Sequence, residues 1–135
     1  MHAARFLLLL SLVAAACSSS SPVPSPAGRT TGVLPDLMVS ASCHRVEDTK
    51  RLAVAITNLG KLAAAPSATR VEFESDPADS FVRMTRAIAV RSVETFELDL
   101  PPACYRDDCR WKITADAAGQ VIESDETNNT AAGRC

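Results

Sequence analysis

The segment Glu123–Asn129, with the sequence ESDETNN, places three acidic and two amide side chains within seven residues. Three interpretations compete: a catalytic carboxylate cluster, a set of calcium ligands, or a polar turn before the last strand. Acid–base catalysis needs a partner group in a cleft. The histidines are His2, inside a segment expected to be removed, and His44, and no G-x-S-x-G motif accompanies them. We therefore predict no catalytic residue and no enzyme.

Calcium binding needs several oxygen ligands around one point, and the candidates are Glu123, Asp125 and Glu126. Their spacing does not match the D-x-D-x-D-G loop, and the segment has no glycine for a sharp wrap. The prediction is therefore no metal site and no cofactor, with these three carboxylates kept as candidates for a weak calcium site.

The turn is the favoured interpretation. Val121 and Ile122 would pack back onto the core, while Asp125 and Asn128 would each bond backbone groups of the turn.

Alternating apolar and polar residues indicate the elements that must position these side chains. Phe96, Leu98 and Leu100 flank Glu97 and Asp99, and the same period of two recurs in three further runs. Seven short strands are predicted, at Asp36–Ser42, around Leu52–Ile56, around Val71–Phe73, at Val82–Val90, at Phe96–Leu100, at Trp111–Ala115 and at Asn128–Cys135. Since no helical period is sustained after the leader, the fold class is all-β, an antiparallel β-sandwich with Trp111 in its core.

Composition limits the functions that the chain could perform. Hydrophobic residues make up 47% of the 135 residues, which is enough to bury the core of one domain, predicted at 34–135. The formal net charge is −2, with no long basic patch. Nucleic-acid binding is therefore not expected, because it depends on basic groups that neutralise phosphates.

The N-terminus predicts export. Arg5 and a short apolar run up to Ala16 form a leader at 1–16, too short for the roughly 20 residues of a spanning helix. Cys17 follows small residues directly, and this junction resembles a bacterial lipoprotein signal, although Ala14 stands where that family prefers leucine. The resemblance implies lipidation of Cys17. Residues 17–33 would then be a Ser/Pro-rich tether, whose last sixteen residues could reach about 50 Å when extended.

Two alternatives to lipidation remain at Cys17: an ordinary leader cut that leaves a free thiol, or a disulfide. The chain has five cysteines, and setting Cys17 aside leaves four that can pair in an oxidising compartment. Lipidation accounts for the fifth. The expected location is outside the cytoplasm, lipid-anchored to a bacterial membrane, at the outer membrane or cell surface.

Three segments, in order, resemble the CARDB family, the cell-adhesion-related domain of bacteria: LPDLMVS, AITNLGKLAAAPSATRVEFES and ITADAAGQVIESDETNN. They carry a proline-aspartate-leucine start, an asparagine-x-glycine turn after the second strand, and an acid-rich segment near the close. The resemblance spans the chain from Leu34 to about Ala132. It implies an immunoglobulin-like β-sandwich of an exported protein, used as a repeated or accessory module.

In such a sandwich the first and last strands can run side by side in parallel, which would bring Cys43 and Cys135 to one end of the domain. Cys104 and Cys109 are close enough in sequence to close a local ring. Other connectivities stay open at this point. A metal site on the four cysteines is disfavoured, since their spacings are not those of paired C-x-x-C motifs.

Two loops are the candidate contact regions of a binding module. The first holds Tyr105, Arg106, Asp107 and Asp108, and the second ends at Phe81. Each sets an aromatic residue beside charges, although an aromatic that tucks inward is an equal alternative. The hypothesis is a module that contacts protein or polysaccharide of the cell envelope and meets the membrane through its lipid anchor. The alternative is a structural accessory subunit whose exposed edge strand pairs with a partner.

Overall fold

The computed structural model of the protein describes residues 32–74, 77–105 and 109–135. The predicted leader, Cys17 and nearly all of the tether lie outside these residues. The described residues form seven strands: β1 (Leu37–Val46), β2 (Thr49–Asn58), β3 (Ser67–Phe73), β4 (Phe81–Thr85), β5 (Val93–Asp99), β6 (Arg110–Thr114) and β7 (Thr130–Arg134), with 3-10 turns at Pro77–Asp79 and Pro102–Cys104. Within the described ranges, no helix is long and apolar enough to span a bilayer.

The strands form two antiparallel sheets, ordered β1-β2-β5 and β4-β3-β6-β7. The predicted all-β, immunoglobulin-like sandwich of seven strands is therefore confirmed. Strands β1 and β7 belong to different sheets but lie together at one side, where the Val39 N–H donates to the Asn128 carbonyl at 3.3 Å. A disulfide joins Cys43 to Cys135 further along both strands, so the two run in the same direction.

Strand β4 ends earlier than predicted, because the chain crosses between the sheets after it. The prediction placed a strand at Val82–Val90, whereas β4 is Phe81–Thr85. Beyond it, Ile88 makes an isolated bridge with Ala64, and a turn follows in which the Ser92 N–H donates to the Ala89 carbonyl. In the sequence, Ile88 and Val90 continue the apolar alternation of Val82 and Met84 through this crossover, although only Ile88 of the four is buried. This continued pattern is why the sequence reads as one strand.

The core lies between the sheets and is built from the inward side chains of alternate positions. Strand β2 shows the pattern most clearly, since Leu52, Val54 and Ile56 are each at most 1% exposed. Trp111 is in the core as predicted, and its ring packs on Gly133 of β7, where an added Cβ would lie 2.5 Å from the ring atom Cζ2. A glycine is needed at this position because the indole ring fills the space of a side chain.

Candidate functional site

The loop after β6 fixes the start of the acidic segment. Asp116 has a positive φ of 44°, and its two carboxylate oxygens accept the N–H groups of Gln120 and Val121, each at 2.8 Å. Val121 is thereby turned into the core, and Glu123 takes the next inward position. Ile122 lies between them and is 78% exposed, so the prediction that it packs on the core is wrong.

Glu123 is buried, with 7% of its surface exposed. One carboxylate oxygen accepts a short hydrogen bond from the Leu37 N–H at the start of β1, and the other accepts Asn129 Nδ2–H at 2.9 Å. Burial raises the pKa of Glu123 to about 7, the nearby carboxylates of Glu126 and Asp116 add to the rise, and the two donors oppose it. The Glu123 carboxyl group is therefore a buried hydrogen-bond acceptor that joins the start of β1 to the segment before β7.

The other acids of the segment stabilise the turn itself. Glu126 accepts the Glu123 N–H at 3.0 Å, and Asp125 accepts both the N–H and the hydroxyl of Thr127, at 2.8 and 2.6 Å. These bonds from Thr127 lower the pKa of Asp125. Asp125 thus bonds a backbone group of its own turn, as expected.

Asn128 does not bond the turn. Its Nδ2–H donates to the Asp36 carboxylate at 2.7 Å, so that prediction is wrong. Asp36 reaches this position because the chain segment that enters β1 runs alongside the acidic segment.

The carboxylates of Glu123, Asp125 and Glu126 do not form a ligand set. Across residues 32–74, 77–105 and 109–135, no three His, Cys, Asp or Glu side chains converge as metal ligands would. Both oxygens of Glu123 accept buried N–H groups, while one oxygen of Asp125 and the Glu126 carboxylate accept hydrogen bonds within the turn. A calcium ion at Glu123 would have to displace its two donors.

Residues 34–37, the segment that enters β1, are hydrogen-bonded to neighbouring segments on both sides. The Pro35 carbonyl accepts the Ser124 N–H at 2.9 Å, and the Leu34 carbonyl accepts the Lys61 N–H at 2.9 Å. The Asp36 carbonyl accepts a third backbone N–H, from Leu59, at 2.7 Å. We call the contacts of residues 34–37 with residues 58–61 and 123–129 the entry clamp.

Asn58 is the centre of the entry clamp and is fully buried. Its Oδ1 accepts the N–H groups of Asp36 at 3.2 Å and Gly60 at 3.0 Å, while its Nδ2 donates to the Leu62 and Ile88 carbonyls. All four hydrogen-bonding positions of the amide are thus used. A side chain on Gly60 would collide with the entry segment, since an added Cβ would lie 2.4 Å from the Leu34 oxygen.

Sequence reasoning missed Asn58 and the burial of Glu123. The sequence does contain a sign that Asn58 is buried, because Asn58 occupies the next alternate position after Leu52, Val54 and Ile56, all of which face the core. Polar residues at such positions are buried only when partners satisfy them.

The opposite end of the sandwich holds the two disulfides, Cys43–Cys135 and Cys104–Cys109, which are the pairs that the sequence favoured. The Lys50 ammonium group bridges them, because it donates to the Cys135 carbonyl at 3.2 Å and to the Cys104 carbonyl at 3.4 Å. The Cys135 N–H also donates to the Cys109 carbonyl at 2.9 Å. This end is closed by covalent and polar contacts together.

The candidate contact residues lie on separate elements. Phe81 begins β4 and is 39% exposed, and Tyr105 follows the second 3-10 turn and is 36% exposed. Arg106, Asp107 and Asp108 lie outside the described residues. Both aromatic rings therefore remain partly accessible to a partner.

His44 lies on the outer face of β1, with Nε2 3.6 Å from a Glu97 oxygen on β5. Their side chains are 39% and 48% exposed. This is a solvent-exposed pair on the surface of the sheet.

Comparisons with known proteins agree with this architecture. The family model described as CARDB matches residues 34–133. A crystal structure of the CARDB domain of the PF1109 protein from Pyrococcus furiosus, in complex with di-metal ions, superposes with a TM-score of 0.63 at 20% identity, covering 75% of this chain and 86% of that one. A solution NMR structure of the same domain gives 0.61 at 20% identity, covering 75% and 93%. No curated protein sequence matches significantly.

Proposed function

The chain belongs to the CARDB family, and on that premise we propose that it is a surface-anchored, non-catalytic binding and adhesion module. It contacts a protein or polysaccharide of the bacterial cell envelope. Its anchor is a lipid on Cys17, and the Ser/Pro-rich tether holds the sandwich clear of the headgroups. The expected location is the outer membrane or the cell surface.

The observation that carries this proposal is the entry clamp. The tether joins the sandwich at residues 32–33, directly before the bonded segment 34–37. Any pull through an N-terminal anchor would act first on these residues, whose Leu34, Pro35 and Asp36 carbonyls all accept backbone N–H groups. Hydrogen bonds at both sides of the segment favour a domain that stays folded while it is held at this end.

A second candidate function, a structural accessory subunit of an envelope complex, is favoured by the exposure of strand β4. Its outward side chains Val82 and Met84 are 56% and 61% exposed. An apolar edge strand is a surface on which another chain can add a strand.

The metal ions of the PF1109 domain are not carried over to this chain. The three acidic candidates of residues 123–126 are engaged in the turn and the entry clamp. The proposal therefore assigns no metal to residues 123–126.

Two measurements test the anchored binding module. Intact mass spectrometry of the protein from its native membrane should give a chain that starts at Cys17, carries acyl chains and gains about four protons on reduction. The variant Cys17→Ala should leave the membrane fraction, whereas the neighbouring variant Ser20→Ala should remain in it.

Binding is tested separately, by sedimentation of the purified protein with washed cell envelopes that lack it. Saturable co-sedimentation is expected. An unlipidated chain would refute the anchor, and a chain that stays in the supernatant at every envelope concentration would refute the binding module.

A further inference from the structure

The edge strands of the two sheets differ in how they are protected against pairing with a strand of another chain. The edges of β1 and β7 face each other and are joined through Cys43–Cys135. The edge of β5 carries Glu97 and Asp99 on its outer face, where both pair with Arg51 at 3.2 and 2.7 Å. Charged side chains of this kind discourage the addition of another strand. Strand β4 has neither a disulfide nor a charged residue on its outer face, and its one charged side chain, Arg83, points inward.

Strand β4 combines a free backbone edge with exposed apolar side chains. Among the strands that the structure describes it pairs with β3 alone, so none of them bonds the N–H and C=O groups along its other side. Val82 and Met84 share its outer face, and Phe81 at its start is 39% exposed. Its sequence, FVRMT, contains no lysine or proline. These are the features of an edge that can accept a strand.

Three arginines lie on β4 or next to it in the structure or the sequence. Arg70 lies directly opposite Val82 in the register of β3 and β4. Arg83 turns inward, with its guanidinium 4.1 Å from the centre of the Phe96 ring. Among the described carboxylates, neither arginine has an ion-pair partner. Arg86 follows the strand, and although it pairs with Glu94 its side chain is 84% exposed.

We infer that the free edge of β4 binds an extended segment of a partner protein in which acidic and apolar residues alternate. The added strand would place apolar side chains beside Val82 and Met84, and an acidic side chain on the inner face beside Arg83. The backbone groups of β4 would form the hydrogen bonds to the added strand, and the arginines would favour a partner segment that carries negative charge. The inference rests on the proposed binding function and specifies where the partner lies and what chemistry it has.

A second copy of the chain is a poorer occupant than an acidic segment. Antiparallel pairing of two β4 strands over their full length would place Arg83 directly opposite Arg83 of the other copy. Like charges directly opposite each other destabilise a strand pair. An inward charge on an edge strand is a known means of preventing self-association.

The test uses a fluorescein-labelled peptide, TTVEVTT, and its charge-reversed counterpart, TTVKVTT. Each is titrated by fluorescence polarisation against the full lipidated chain in nanodiscs, at low salt. The acidic peptide is expected to bind at least about tenfold more tightly than the basic one. Met84→Lys should weaken its binding at least about fivefold. The matched control, Ile122→Lys, changes an exposed apolar residue away from β4 and should bind like the wild type.

The envelope sedimentation assay separates this inference from the proposed function. A wild-type chain that binds envelopes but prefers neither peptide refutes the β4 site and leaves the binding module standing. A chain that binds neither envelopes nor peptides refutes both. If Met84→Lys and the wild type bind the acidic peptide equally well, the β4 site is refuted. The site is also refuted if the wild type binds no peptide but forms a dimer that Met84→Lys abolishes, because β4 would then bind a second copy of the chain. Thermal unfolding of each variant confirms that it is folded.

Discussion

Glu123 is a carboxyl group in a position where the alternating pattern would usually place an apolar side chain. Burial disfavours its charged form, while the Leu37 N–H and the Asn129 amide favour it. Burial is the larger effect, since the pKa rises from 4.5 to about 7. The folded protein therefore holds this proton up to a higher pH than the unfolded chain does.

This difference predicts that stability falls as pH rises. Below pH 4.5 Glu123 is protonated in both the folded and the unfolded state, so it gives the free energy of unfolding no dependence on pH. Between pH 4.5 and about 7, Glu123 ionises only in the unfolded chain, and the free energy of unfolding therefore decreases as pH rises. The shift corresponds to at most ~3 kcal/mol, with no further loss above the folded pKa. The variant Glu123→Gln cannot ionise and should lack this decrease. Urea unfolding at steps between pH 5 and pH 8 measures it.

Glu126→Gln is the matched control, because it neutralises a neighbouring exposed carboxylate of the same turn. It should keep most of the decrease. If Glu123→Gln lost stability with pH as steeply as the wild type does, another group would be responsible and the assignment to Glu123 would be wrong.

Strands β1 and β7 show how one element depends on another that is far away in sequence. Cys43 and Cys135 are separated by 92 positions, whereas Cys104 and Cys109 are separated by 5. By chain entropy, the long loop restricts the unfolded state more, which gives about 4.5 kcal/mol for the first disulfide and about 2 kcal/mol for the second.

Replacing each pair by alanine tests this order. The double variant Cys43→Ala/Cys135→Ala should lose about 4 kcal/mol of unfolding free energy, roughly twice the loss of Cys104→Ala/Cys109→Ala. The two double variants serve as controls for each other, since each removes one disulfide. Equal losses, measured by urea unfolding, would show that local packing outweighs loop length.

The strands themselves were largely predictable, because one buried face imposes a period of two on the sequence. The exception is β4. The chain leaves the sheet after Thr85, but Ile88 is still buried, and a buried side chain in a crossover gives the same pattern as one in a strand.

At the scale of the whole molecule, the acidic segment and the entry segment form one hydrogen-bonded unit, in which the Glu123 carboxylate is buried and those of Asp125 and Glu126 accept hydrogen bonds within the turn. We therefore predict that 10 mM calcium chloride changes the melting temperature of the EDTA-treated protein by less than about 1 °C. A site with a dissociation constant near 1 mM would instead stabilise the protein by about 1.4 kcal/mol, a rise of several degrees.

Magnesium chloride at the same concentration controls for ionic strength. A rise of several degrees with calcium alone, abolished by Asp125→Asn, would contradict the structural interpretation of residues 123–129 and restore the calcium hypothesis.

The sequence by itself determined most of the strands and the sandwich, because a buried face imposes local alternation, and the spacing of Cys104 and Cys109 indicated their pairing. Short motifs carried the resemblance to the family, and that resemblance implied the Cys43–Cys135 pair. Only the tertiary structure decided that Asn58 and Glu123 are buried hydrogen-bonding centres, that Asn128 bonds Asp36, and that β4 is an edge strand with exposed apolar side chains. The reason is physical. Whether a polar group is buried, and whether a strand edge is free, depends on segments that are distant along the chain and meet only when the two sheets have packed.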